Sequence, residues 1–263
     1  MKALWRNLLQ KTLKDSAKQQ LAKQIVGFKQ SEIFEGEDLS LHFQDVKLDN
    51  LTLQDVVKSF IIARIKFVIG ILGWEEIGNS AFADFGDSSG IFLKALGKNE
   101  TSVNISGLII NHLKSKGMRA IKADIDCSLP FENDEFDYVL LFETLEHLPN
   151  PIASLREIYR VCRKALFVSI PFVTKTKVYG FNYSAGKIPL YEHHIFELPE
   201  NDFRKVISHT DFRVKDYKVV EVLGNGNGLL GRLVMLYWRL KYDRDTFMGV
   251  HRRFRVYYLE TRK

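Results

Sequence analysis

The sequence of 263 residues predicts an α/β fold, a mostly parallel sheet with helices on both faces, behind an N-terminal helical extension. Three observations lead there. From Ala81 onward, short apolar runs alternate with helical stretches, the pattern of βαβ units. The first run passes through a turn of small residues straight into a helix start, AFADFGDSSGIFLKAL. Successive runs then end in polar residues that a parallel sheet gathers on one edge.

Taken in order, residues 1 to 28 read as an amphipathic helix, with Leu4, Trp5, Leu8, Leu9 and Leu13 on one side and Lys2, Lys11, Lys14 and Lys18 mostly elsewhere. A polar stretch follows, then a second helix over 51 to 74. Its segment SFIIARIKFVIGILGW is strongly apolar, but Arg64 and Lys66 interrupt it, and a membrane span needs about 20 predominantly apolar residues. A helix packed on the catalytic domain is the expectation, with an interfacial membrane helix as its competitor. Strands are expected near 81 to 85, 101 to 105, 119 to 123, 136 to 142 and 165 to 170, with helices near 90 to 97, 107 to 117 and 151 to 163. After Pro171 comes an irregular aromatic segment, then a helix near 198 to 209, a strand near 212 to 222, an apolar helix near 228 to 241 and a last strand, FRVYYLE. The domain division expected is 1 to 74 as extension and 75 to 263 as catalytic domain. Within the latter, 173 to 195 is a substrate lid and 228 to 250 an apolar, basic helical insertion.

Composition narrows the function classes. Hydrophobic residues at 46% and charged residues at 27% are ordinary for a globular chain and exclude a disordered or multi-span one. Cys127 and Cys162 lie in different elements without metal-ligand spacing, so neither a zinc framework nor a disulfide scaffold is predicted, and a reducing cytoplasm is the expected location. No secretion signal is evident at the N-terminus. The net charge of +6 is uneven: residues 1 to 24 hold +5 and 232 to 263 hold +6, leaving about −5 between them.

The chemistry-bearing residues sit at the strand ends. Gly86 and Gly90 permit φ values that other residues avoid and a close backbone approach, while Ser88 and Ser89 stay small and can donate hydrogen bonds. About twenty residues on, SVNIS ends a strand with Asn104, where nucleoside binders place a ribose-binding side chain. KADIDCSLPF then brings Asp124 and Asp126, and FDYVLLFETLEHLPNP follows. With these pieces in this order, residues 75 to 222 resemble the class I S-adenosylmethionine-dependent methyltransferases, especially the small-molecule and quinone-type group called type 11.

The resemblance implies a Rossmann-like fold with a seven-stranded sheet and S-adenosyl-L-methionine as cofactor, released as S-adenosyl-L-homocysteine. It implies that Asp84, Gly86, Ser88 and Gly90 cradle the methionine part. Asn104 and Ile105 would flank the ribose and adenine, Asp124 and Ile125 the adenine amino group and ring, and Phe142 and Glu143 the sulfonium end. His147 would open towards substrate. Two departures stand out: Ser88 replaces a usual glycine and Asn104 a usual acid, so one ribose bond becomes neutral and contributes about 1 kcal/mol rather than about 1.5 to 3. Methyl transfer asks the protein for alignment and water exclusion, with a base only when the acceptor loses a proton. His147, His193, His194 and Glu146 are the candidates for that role, each with a surface or structural reading beside it. No metal is expected.

The acceptor is hinted at only by the ends. The amino-terminal helix, the apolar run 59 to 74 and GLLGRLVMLYWRLKYDR could lie on an anionic bilayer, which favours a lipid, quinone or lipid-linked sugar; a solvated charged face is the plain alternative. Soluble small molecules stay open, and no RNA-binding module is recognisable. Two other classes compete. A nicotinamide-dependent oxidoreductase would share the first turn but needs GxGxxG, which is absent; a non-catalytic module of the same fold is favoured by Ser88 and Asn104.

Overall fold

The computed structural model describes residues 2–26, 31–34, 50–98, 100–178, 194–224, 228–241, 246–247, 250–251 and 253–263. They fall into two compact units, one built from 1–67 with 219–254 and the other from 68–218 with 255–263.

The second unit is organised by the sheet. The strands of that sheet are β1 (Phe82–Phe85), β2 (Thr101–Asn104), β3 (Arg119–Lys122), β4 (Phe136–Phe142), β5 (Cys162–Pro171), β8 (Phe212–Glu221) and β11 (Arg253–Thr261), of which 219–221 and 253–254 fall in the first unit. Their order is β3-β2-β1-β4-β5-β11-β8, and the pairings from β3 through β5 are parallel. FADF and FDYVLLF are, apart from one aspartate each, apolar and aromatic, and they are buried along their whole length, as strands covered on both faces must be. The chain order reverses between β1 and β4, which makes the carboxyl ends of these two strands the topological switch point, where ligands of open α/β sheets bind.

Short helices connect the strands. Between β1 and β2 runs α4 (Ile91–Ala95), entered through Gly90 in the left-handed region. The buried residues of α5 (Gly107–Ser115), Ile110 and Leu113, pack on Ala120 of β3. Asn150 caps α6 (Pro151–Val161) by accepting from the Ala153 amide, and Pro151 suits the first turn because its missing N–H would have no partner there. α6 buries Leu155, Ile158 and Val161, each contributing about 1.5 to 3 kcal/mol of transfer free energy. It stops two residues short of the expected end because Cys162 already pairs with Phe136 as the start of β5. Beyond β5, β6 (Lys177–Val178) pairs antiparallel with β7 (Phe196–Glu197), and α7 (Glu200–Ser208) buries Phe203 against Tyr257 of β11. The expected lid over 173 to 195 lies largely outside the described residues.

The first unit is helical. In α1 (Lys2–Ile25) Leu9 and Leu13 of the expected face are buried and Leu8 is half-buried; Ala17 and Leu21 continue the stripe, polar Thr12, Ser16 and Gln20 are buried beside it, and Lys11 and Lys18 are exposed. α2 (Ser31–Phe34) is a single turn. α3 spans Asn50–Asn79 but breaks at Gly73, whose φ of 72° and ψ of 161° are not helical, so the first segment ends next to the expected boundary. Arg64, which argued against a membrane span, is fully buried: its guanidinium lies against the rings of Phe60 and Phe254 and donates to the Phe60 carbonyl at 3.2 Å. Lys66 donates to the carbonyl of Val26. The helix is therefore a packed one, and no helix among the described residues is long and apolar enough to cross a membrane. α8 (Gly228–Lys241) completes the unit, with the two-residue strands β9 (Thr246–Phe247) and β10 (Val250–His251) after it.

Candidate active site

The turn after β1 is held from within. Gly86 adopts φ 85° and donates its amide to the Val103 carbonyl at 2.8 Å. A Cβ at this position would meet Thr144 Oγ1 at 2.1 Å, so the turns after β1 and β4 interlock through the missing side chain. Gly90 is held to glycine chiefly by its φ of 76°, since the atoms its Cβ would meet, Met118 Sδ at 1.9 Å and Cε, are the movable end of a long side chain. Ser88 is half-buried between them.

Asp87 organises this turn and was not singled out from the sequence. Its Oδ1 accepts from the amides of Ser89 (2.9 Å) and Gly90 (2.7 Å), and its Oδ2 accepts from Ser102 Oγ at 2.6 Å. The signal was present as D-S-S-G, an acid whose side chain bonds backbone two and three residues on. Burial raises the carboxyl's pKa, and the hydrogen bonds from Ser102, Gly90 and Ser89 oppose that rise.

Asp84, one of the sequence candidates, stands beside it under a different condition. It is 2% exposed, and its Oδ2 has no hydrogen-bond partner among the described residues. Burial first, and the charge of Asp87 second, hold its carboxyl well above the usual range. A buried carboxylate of this kind is costly unless a cation meets it, so the cradle fits a ligand carrying an ammonium group.

Asn104 at the end of β2 donates Nδ2 to the Asp87 carbonyl at 2.9 Å and accepts the Ser106 amide on Oδ1 at 2.8 Å. One amide hydrogen and one lone pair are left for a ligand hydroxyl. Ile105 beside it is 39% exposed, an apolar surface at the sheet edge. After β3, Asp124 is exposed and accepts the Asp126 amide, while Ile125 is buried among Leu129 and Phe131 in the core. At the end of β4, Phe142 packs edge-on against Phe92 of α4 at 4.8 Å. Glu143 follows with a positive φ of 49°, its Oε1 accepting from Ser169 Oγ of β5.

The turn of Leu145–His147 then meets the segment returning after β5. The Ile195 amide donates to the Glu146 carbonyl at 2.7 Å, and the rings of His147 and His194 meet edge-on at 4.8 Å. His194 Nδ1 lies 2.8 Å from Glu197 Oε1, and its Nε2 lies 3.9 Å from Glu146 Oε1. Both carboxylates are nearly fully buried, at 1% and 2% exposure, and Lys177 Nζ sits 3.6 Å from Glu197 Oε2. Glu146 and Glu197 also line a small cavity with Ile170, Pro171 and Phe196. Three of the base candidates, Glu146, His147 and His194, are thus brought together, whereas His193 lies outside the described residues. Glu197 was missed although its partner His194 stands only three residues earlier, in H-I-F-E; that local spacing was the available signal.

Residues 83–168 match a family model described as a methyltransferase domain. No curated protein matches the chain. Among solved structures, a putative methyltransferase from Bacillus halodurans superposes with a TM-score of 0.50 at 15% identity, covering 75% of this chain and 98% of that one. The YcgJ protein of Bacillus subtilis gives 0.51 at 13% identity over 76% and 99% of the two chains. The MccD protein gives 0.51 at 14% identity over 76% and 96%. At these identities the likeness is one of fold, a Rossmann-like sheet shared in nearly the full length of each neighbour.

Proposed function

We propose that this chain is an S-adenosylmethionine-dependent methyltransferase that methylates a small-molecule or lipid-like acceptor held over the carboxyl ends of β1 and β4, a reading supported by its matched domain and its sheet. The observation that carries the reading is the cradle. Asp84 and Gly86 lie at the end of β1, at the topological switch point, with Asn104 on the neighbouring β2, and the buried Asp84 carboxyl would give up its proton to pair with the ammonium of the cofactor's methionine part. When bound, the cofactor supplies a methyl group already activated on a sulfonium.

The protein's share is then to hold and to exclude water. Asp84 would take the ammonium, with Gly86, Ser88 and Gly90 forming the turn beneath it. Asn104 would bond the ribose through its remaining amide hydrogen, Ile105 and Ile125 would border the adenine, and Asp124 would orient its amino group. Phe142 and Glu143 would flank the sulfonium end, and His147, His193, His194 or Glu146 would accept a proton from the acceptor where one must leave. Calorimetry with S-adenosylmethionine, S-adenosylhomocysteine and NAD tests this reading. The first two should bind at one site per chain and NAD should not; a chain that binds none of them is a module of this fold without its cofactor, and binding of NAD alone would make it an oxidoreductase.

A lipid-like acceptor is favoured by α8. Leu229, Leu230, Leu233, Leu236, Tyr237 and Leu240 are all exposed, and at 3.6 residues per turn they share an arc of about 120° opposite the buried Val234 and Met235. Arg232 is exposed beside that arc, and nine Lys and Arg against three acids follow from residue 232 to the end. An apolar helical stripe flanked by basic residues is suited to the headgroup boundary of an anionic bilayer. The chain should sediment with vesicles containing phosphatidylserine more than with purely zwitterionic ones, and Leu230→Asp with Leu233→Asp should remove most of that binding. Equal, salt-insensitive failure to sediment with both would leave a soluble acceptor.

A further inference from the structure

We propose that Glu146, His147 and His194 form a binding site for one divalent transition-metal ion of the zinc class, with Glu197 as the carboxylate that orients His194. The three side chains each offer one ligand atom, and these atoms all lie within 4.8 Å of one another. Ligands about 2.0 to 2.2 Å from a common tetrahedral ion stand roughly 3.4 Å apart. Small rotations of two half-exposed imidazoles towards a buried carboxylate therefore close the set.

The spacing within the cluster argues for an ion rather than a plain ion-paired histidine. His194 Nδ1 is within hydrogen-bond range of Glu197 at 2.8 Å, but Nε2 stands 3.9 Å from Glu146 Oε1, too far for a hydrogen bond and close to the separation of two ligands on one metal. A carboxylate that receives Nδ1–H fixes the tautomer in which Nε2 presents its lone pair, the arrangement that metal-ligating histidines use. Both carboxylates are nearly fully buried, at 1% and 2% exposure, so the ligating oxygen of Glu146 and the orienting oxygen of Glu197 are held in place by packing.

Two imidazoles and one carboxylate suit zinc, cobalt or iron better than magnesium, which prefers all-oxygen octahedral surroundings. Three protein ligands leave a coordination position open, the feature that separates catalytic from structural zinc sites. An acceptor oxygen is the group such a position would take, which gives the proposed methyl acceptor a hydroxyl or enol. This last step rests on the methyl-transfer reading; the metal site itself does not.

The full chain, stripped with a chelator and dialysed, should take up one Zn²⁺ per molecule in a calorimetric titration. With Co²⁺ it should show the visible absorption of a four- or five-coordinate site, while Mg²⁺ gives no saturable heat. His147→Ala and His194→Ala should each weaken Zn²⁺ binding by at least about 100-fold, and Glu197→Gln by about 10- to 100-fold. Thermal melts of the variants establish that they fold, and His194→Gln replaces His194→Ala if the latter does not. Absence of stoichiometric uptake, or uptake unchanged in His147→Ala and His194→Gln, overturns the proposal. S-adenosylmethionine titrated into the same preparations separates the two readings: zinc uptake without cofactor binding sinks the methyl-transfer reading and keeps the site, and the converse sinks only the site.

Discussion

Asp87 and Glu146 are both buried acids at the carboxyl edge of the same sheet, and they are accommodated in opposite ways. Asp87 is satisfied by its own neighbourhood: the amides two and three residues on, and a serine on the adjacent strand. Glu146 has its surroundings delivered from beyond β5, where Ile195 bonds its backbone and His194 approaches its side chain. The first arrangement makes a rigid cradle whose polar groups are mostly consumed internally. The second leaves titratable and ligating atoms facing one another across a junction of two segments. The difference teaches that one buried acid is fixed by residues close to it in the chain and the next strand, the other by a segment that returns from much further along.

The largest effect that can break this comparison is expected at Gly86. In Gly86→Val a branched side chain enters the left-handed region and collides with Thr144, and overpacking with backbone strain should cost about 3 kcal/mol together. Cofactor binding should be lost in calorimetry, and adding Thr144→Gly should recover part of the melting temperature without recovering affinity. Wild-type affinity in the single variant would remove the turn from the cofactor site.

A smaller effect sharpens the comparison from the side of charge. Because the Asp84 carboxyl is raised in the folded state, the native chain holds a proton that the unfolded chain has already released above the ordinary carboxylate value. Stability therefore falls as pH rises through the interval between those two values, the reverse of a salt-bridged aspartate. Asp84→Asn should flatten this slope in urea denaturation curves taken across that interval, and should also weaken S-adenosylmethionine binding by loss of the ammonium's partner. A variant with the same slope and the same affinity as the wild type would show that Asp84 neither titrates there nor meets the cofactor.

Much of the fold was legible because its determinants are local. The runs FADF and FDYVLLF and the caps at Asn150 and Pro151 declare their elements within a few residues. The one-residue-per-turn stripe of α1 is of the same kind. The boundary of α6 was missed by two residues because strand pairing at Cys162 overrides helical propensity. The arrival of Asp84, Gly86 and Asn104 at neighbouring strand ends was likewise readable from their order along the chain. The meeting of His147 with His194 was not, since it depends on where the chain returns after β5, whereas the pairing of Glu197 with His194, three residues apart, was local and went unread.

By itself, then, the sequence determined the alternation of strands and helices, the glycine and acid content of the first turn, and the apolar stripe of α8, all carried by neighbours within one or two turns of chain. Tertiary structure alone decided which acids would be solvated from within and which would face histidines. It also joined 219–254 to the N-terminal helices in one unit, and it made Gly86 a packing necessity through Thr144. The physical reason is the same in each case. Burial and side-chain contact between residues far apart along the chain are set by closing the sheet and packing its edge, and no local pattern of residue types encodes which distant side chain will arrive there.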